Sequence, residues 1–141
     1  MSAQIHRHSH RVTYAECTVG NHIYYARYLN LLEEARGEFV RSLGTTCQQL
    51  QDQDVIFPVV ECHVRYKAPA RYDDILTIET WLTLAAKVRL NFAHRIVNQA
   101  GTLILEAETL HVCTSLDEKP KRLPEALLAR LGPFVVATTP G

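Results

Sequence analysis

Between Tyr24 and Leu43 apolar residues recur at 25, 28, 29, 32, 35, 39, 40 and 43, the spacing of a single stripe along an α-helix. No other stretch of the chain holds that period for as long. At 1.5 Å per residue, about 20 residues make a helix roughly 30 Å long. Gly44 stands where a left-handed C-cap is wanted. A lone helix of this kind has one apolar face to bury, so the remaining chain must supply a surface broad enough to cover it.

That surface is legible as alternation. HRVTYAEC (10–17) reads as a short strand and TVGN (18–21) as a turn before the helix; TTCQQLQDQD (45–54) is polar and irregular. In VVECHVRY (59–66), Val60, Cys62, Val64 and Tyr66 face one way, and Glu61, His63 and Arg65 the other. DILTIETWLTL (74–84) aligns Leu76, Ile78, Leu82 and Leu84, and KVRLNFAHRIVN (87–98) aligns Val88, Leu90, Phe92 and Ile96. The NQAG turn, with Gly101 at a positive φ, leads into TLILEAETLHVCTSL (102–116). KAPARYDD (67–74) and DEKPKRLP (117–124) are connections, and a short helix is expected after Pro124. Strands joined by short turns make an antiparallel sheet. One helix covers one sheet face, so open edges point to pairing of two chains.

A chain of 141 residues is one domain, with 1–9 and 135–141 expected to be flexible. Lys plus Arg and Asp plus Glu both number 15, so no bulk charge argues for nucleic acid or a membrane surface. No apolar run approaches the ~18 residues of a membrane span. Cys17, Cys47, Cys62 and Cys113 are far apart, with no metal-ligand spacing. The expectation is a cytoplasmic protein with free buried thiols and without metal or cofactor. His6, His8 and His10 alternate near the start, as a weak metal ligand set or as a frayed polar leader.

Three segments carry a resemblance. TVGNHIYYARYLNLLEEARGEF (18–39) is similar to the signature of the 4-hydroxybenzoyl-CoA thioesterase family, Asp-x-x-Gly-His-Val-x-x-x-x-Tyr followed by Phe/Leu-Glu-x-Ala-Arg. His22, Ile23, Tyr28, Leu32, Glu33, Ala35 and Arg36 fall in register. VRYKAPARYDD (64–74) resembles that family's Val-x-Tyr-x-x-Pro-Ala-x-x-Asp-Asp, and DEKPKRLP (117–124) its Asp-Gly-Lys-Pro-x-Arg-Ile-Pro. The resemblance implies an α+β hotdog fold, an antiparallel sheet wrapped around one long central helix, assembled as a homodimer and further as a dimer of dimers. It implies hydrolysis of an acyl-CoA or acyl-carrier-protein thioester between subunits. A non-catalytic acyl-thioester binder is the alternative, because Thr18 stands where the family has its catalytic Asp and Asn21 replaces its Gly. A hydroxyl has no useful pKa near neutrality, so Thr18 is no anionic base.

The resemblance puts the carbonyl-binding amide at Tyr25, where a helix N-terminus offers free N–H groups and partial positive charge. Three arrangements stay open for the water. Glu33 is a general base, at an offset like that of a related hotdog subgroup, or else forms a structural ion pair with Arg36. Alternatively Thr18 positions water and Arg36 assists, as in the similar enediyne-polyketide thioesterases, or hydrolysis is lost. Asn21, His22 and Tyr24 stand beside these as substrate-binding candidates. Arg65, Lys67, Arg71, Lys121 and Arg122, in the two segments that resemble CoA-proximal loops, are candidates for the nucleotide phosphates.

Overall fold

The computed structural model describes residues 3–136. Strand β1 (His6–Arg11) passes through two 3-10 turns (Tyr14–Glu16 and Val19–Asn21) into α1 (Arg27–Ser42). A short α2 (Cys47–Asp52) precedes β2 (Val59–Tyr66), β3 (Ile75–Ala86), β4 (Arg89–Val97) and β5 (Leu103–Val112), and α3 (Glu125–Leu131) follows. The strands form one sheet in the order β1-β3-β4-β5-β2, antiparallel at every step. α1 lies against one sheet face and buries Tyr28, Leu31, Leu32, Ala35, Phe39 and Val40. This is the expected α+β hotdog architecture. No helix among the described residues is long and apolar enough to cross a membrane.

Two apolar clusters divide the layer between helix and sheet. Under the first half of α1, Leu31, Leu32 and Ala35 meet Ile78 of β3, Ile96 of β4 and Leu105 of β5. Under the second half, Phe39 and Val40 meet Leu82, Leu90 and Phe92, with Leu50 of α2 and Leu127 and Leu131 of α3 closing the end. Full burial of one such side chain is worth about 1.5–3 kcal/mol. β2 differs from the other strands: as an edge strand it is exposed along its length except at Val64.

The structure corrects several expectations. The first strand is residues 6–11 rather than 10–17, and the supposed frayed leader is ordered edge strand from His6. His8 Nε2 and His10 Nδ1 lie 2.7 and 3.0 Å from the Glu34 carboxylate on α1, and His10 Nε2 lies 2.9 Å from Glu16. A polar period-two run was therefore a strand. α1 begins at Arg27, not Tyr24, because the Tyr24 N–H donates to the Glu16 carbonyl (3.0 Å) and the two tyrosines are held in a turn. The 45–54 stretch is not irregular: Thr46 caps α2 by accepting from Gln49 N–H at 3.0 Å, and Leu50 alone anchors it. A bulge between Leu82 and Leu84 turns Leu84 to the outer sheet face and hands its place in the core to Ala85. Val136 N–H bonds the Leu82 carbonyl at 2.8 Å, so the first part of the 135–141 tail is fixed. The rest of both expected flexible ends (1–2 and 137–141) lies outside the described residues.

Gly44 (φ 90°) and Gly101 (φ 79°) take the left-handed conformations expected of them. All four cysteines are free thiols, but only Cys113 is buried as expected: Cys17 is half-buried, and Cys47 on α2 and Cys62 on the edge strand β2 are exposed.

Candidate active site

The turn entering α1 is built from consecutive left-handed residues, Gly20 (φ 75°) and Asn21 (φ 60°). Asn is among the few side chains that tolerate this region, which accounts for Asn21 where the resembling family has Gly. Thr18 opens the turn: its N–H donates to the His22 carbonyl (2.7 Å) and its carbonyl accepts from Asn21 N–H (3.1 Å), while its side chain caps nothing. His22 Nε2 lies 2.8 Å from Arg71 Nη1. A guanidinium only donates, so that nitrogen accepts and the ring proton sits on Nδ1. The lone pair a base would need is thereby occupied.

Beyond His22, Ile23 N–H reaches the Ala70 carbonyl (3.0 Å), Tyr24 N–H the Glu16 carbonyl (3.0 Å), and Arg27 N–H the Tyr24 carbonyl (2.8 Å). The Tyr25 N–H has no acceptor among the described residues. Tyr25 lines an open recess of about 350 Å³ together with His22, Tyr28, Tyr66, Lys67 and Pro69. Tyr28 is pinned by accepting from Ala70 N–H at 3.0 Å, and burial raises its phenol pKa. Tyr24 packs at a tilt against Tyr25, with ring centroids 4.9 Å apart.

Glu33 and Arg36 lie further along α1 and line a second, larger cavity of about 480 Å³. Its depth is apolar, with Val40, Leu50, Val55, Leu90, Phe92, Leu127 and Leu131; Phe57, Pro58 and Val59 form one lip. The expected Glu33–Arg36 ion pair is not formed, and the i,i+3 pair on α1 is instead Arg41–Glu38 at 3.7 Å. Burial lowers the pKa of the Arg36 guanidinium and Glu33 opposes that shift, but an arginine stays charged. His111, also on the wall, donates from Nδ1 to the Phe57 carbonyl (2.9 Å) and accepts at Nε2 from Thr109 Oγ1 (3.0 Å). Burial, helped by Arg36, pushes its pKa down to about 4, so the ring is neutral. His94 lies on the same sheet face; burial, with Arg36 and His111, pushes it down to about 3.

The two hollows lie toward opposite ends of β2, since Tyr66 walls the recess and Val59 lips the cavity. Seven residue steps of strand separate these by roughly 23 Å. The candidate basic residues divide in the same way. Lys67 and Arg71 sit at the Tyr25 end, and Arg71 N–H bonds Asp74 Oδ2 at 2.9 Å. Lys121 is at the other end, donating to the Asp54 carbonyl at 3.0 Å, with exposed Arg122 next to it. Arg65, on the outer sheet face, lies 3.8 Å from Glu108 and belongs to neither hollow.

The residue reading passed over Tyr66, whose hydroxyl donates to the Tyr25 carbonyl (2.9 Å), and the wall residues His111, Leu127 and Leu131. Tyr66 does stand in the Val-x-Tyr motif, which was a signal. The α3 leucines gave none, because a helix packed end-on leaves no mark on the strand pattern.

The thioesterase-like superfamily model matches residues 12–131. The acyl-CoA thioester hydrolase YbgC of Escherichia coli O6:H1 is 39% identical over 130 residues, which cover 92% of this chain and 97% of that protein. The acyl-CoA thioesterase YbgC of Haemophilus influenzae is 34% identical over 122 residues, covering 84% of this chain and 88% of the relative. A hypothetical protein from Thermus thermophilus superposes with a TM-score of 0.85 at 29% identity, covering 91% of this chain and 98% of its own.

Proposed function

The chain belongs to the thioesterase-like superfamily and is a thioesterase of the hotdog fold, and we propose that it hydrolyses acyl-CoA thioesters at a site assembled from two copies. The observation that carries this reading is the pair of hollows. One holds an unpartnered amide at Tyr25; the other is an apolar cavity with Glu33 and Arg36 unpaired with each other at its wall. Each alone is half of a hydrolytic site.

Pairing two copies joins the halves. β2 has an open edge with Val59, Val60 and Tyr66 exposed, and Tyr25 and Leu29 are exposed on the α1 side. Two such edges pairing antiparallel about a two-fold axis cover this surface. The Tyr25 end of one copy then lies beside the cavity of the other. Lys67 and Arg71 of one copy also meet Lys121 and Arg122 of the other, a set suited to the nucleotide phosphates of CoA. An acyl-carrier-protein thioester is the alternative substrate, lacking that nucleotide. The three motifs keep the chain beside the 4-hydroxybenzoyl-CoA thioesterases, with Thr18 where those carry Asp.

In this site the acyl group enters the apolar cavity and the thioester carbonyl accepts from Tyr25 N–H. Glu33 takes a proton from water, whose oxygen attacks the carbonyl carbon. The amide and the Arg36 charge stabilise the tetrahedral oxyanion, which collapses with loss of the CoA thiolate. Thr18 has a free hydroxyl to hold water but no charge to activate it, so Glu33 is the better base. The test offers purified protein a series of acyl-CoAs and follows the released thiol. Turnover that falls about a hundredfold or more in Glu33→Gln, with smaller loss in Thr18→Ala, is expected. An unaffected kcat in Glu33→Gln removes that residue as base, and no turnover with any acyl-CoA removes the proposal.

A further inference from the structure

In a regular helix the Tyr25 carbonyl would accept from the N–H of Leu29, four residues on. Here Leu29 N–H goes instead to the Ala26 carbonyl at 3.2 Å, a 3-10 bond. The Tyr25 carbonyl accepts from the Tyr66 hydroxyl at 2.9 Å, across 41 residues of sequence. A side chain from β2 thus holds the Tyr25–Ala26 peptide at the entry to the helix. The preceding peptide, which carries the Tyr25 N–H, is held from its other side, because its Tyr24 carbonyl accepts from Arg27 N–H at 2.8 Å. Two planar peptides meeting at Tyr25 are fixed by these two bonds, and the free N–H between them has one direction left.

We propose that Tyr66 is a positioning residue for thioester hydrolysis: its hydroxyl, by holding the Tyr25 carbonyl, aims the Tyr25 N–H at the substrate carbonyl. This rests on the reading of Tyr25 as the oxyanion donor. The Tyr66 ring is seated edge-on against Tyr28 and Tyr25, with centroids 5.6 and 6.4 Å apart, so the hydroxyl is delivered by packing. Burial, with the neighbouring Tyr25 and Cys62, raises the Tyr66 pKa, so the phenol keeps the proton it donates. Tyr66 also ends the open edge strand, and a second copy paired along β2 would set its place. Assembly and the aim of the amide are then coupled through one hydroxyl.

Tyr66→Phe keeps the ring contacts and removes only this bond. The expected result is a kcat lower by about three- to tenfold, the worth of one neutral hydrogen bond, with KM within about twofold and Tm lower by no more than a few degrees. A matched control is Tyr72→Phe, an exposed tyrosine packed on Tyr14, which should leave both constants alone. An unchanged kcat in Tyr66→Phe overturns the proposal. So does a raised KM at constant kcat, which would make Tyr66 a substrate contact. A second readout is independent of turnover: the backbone amide resonances of Tyr25 and Ala26 should move in Tyr66→Phe and stay in Tyr72→Phe, and unmoved resonances overturn the inference. If wild-type protein hydrolyses no acyl-CoA while these resonances move, the proposed function fails and the positioning bond stands.

Discussion

Acidifying the protein from about pH 7.5 to about pH 5 should cost it about 4 kcal/mol of folding stability, and two histidines carry that loss. His94 and His111 are buried against the sheet face under α1, at 1% and 3% exposure. Burial depresses both, with Arg36 adding to the effect, to about 3 and about 4 against an ordinary value of 6.5. Above pH 6.5 neither the folded nor the unfolded chain protonates them, and their contribution is complete. Below it the unfolded chain takes up two protons that the folded chain refuses until the pH approaches 4. Each ring then costs about 1.4 kcal/mol per pH unit, so the two together cost about 4 kcal/mol by pH 5. That is a large share of the ~5–15 kcal/mol typical of a domain. His10 offsets a part of the loss, at the upper end of the pH range. Burial opposes its charge, but Glu16 and Glu34 raise its pKa on balance, so its contribution is complete below pH 6.5 and lost only as pH rises through the folded value. The assay is urea unfolding followed by circular dichroism at half-unit steps of pH. A stability that is flat or rising from pH 6.5 to pH 5 would refute the reasoning.

Other consequences are local. Replacing Leu32, wholly buried on the sheet-facing side of α1, by Ala should cost about 2–5 kcal/mol, read as a lower urea midpoint at unchanged m-value. Gly44→Ala forces an L side chain to φ 90° and sets its Cβ 2.9 Å from Arg130 Nη1. A Tm lower by several degrees is expected, equivalent to about 1–3 kcal/mol. Leu127→Trp puts bulk into the apolar cavity and should lower kcat/KM for long-chain acyl-CoAs at least about tenfold while sparing acetyl-CoA. Equal loss for short and long chains would take the acyl group out of that cavity.

The fold was legible because its two periods are clean. One 3.6-residue stripe and successive period-two runs define a helix on an antiparallel sheet, and the strand 59–66 was read to the residue. What escaped has identifiable causes. A helix start depends on competing backbone acceptors, and the Glu16 carbonyl, distant in pattern but near in space, takes Tyr24 N–H. A one-residue bulge inverts every later side chain, as at Leu84, and leaves no mark in composition. β1 was missed because its inward residues are histidines, of which His8 and His10 pair with carboxylates on neighbouring elements and His6 packs on the Phe39 ring. Of the site, the types and places of Thr18, Tyr25, Glu33 and Arg36 came from the motif. Their division between two ends of β2 did not, since linear order says nothing about which end of a strand a loop closes.

Subunit complementation tests the two-copy site most directly. Glu33→Gln removes the proposed base, and Tyr25→Pro removes the backbone N–H itself. Each homodimer should be close to inactive on acyl-CoA. In a mixed dimer one of the two sites regains both an intact Glu33 and an intact Tyr25, so unfolding and refolding an equal mixture should restore about a quarter of wild-type kcat. A mixture no more active than its parents, with mixed dimers verified by mass spectrometry, would contradict a site shared between copies.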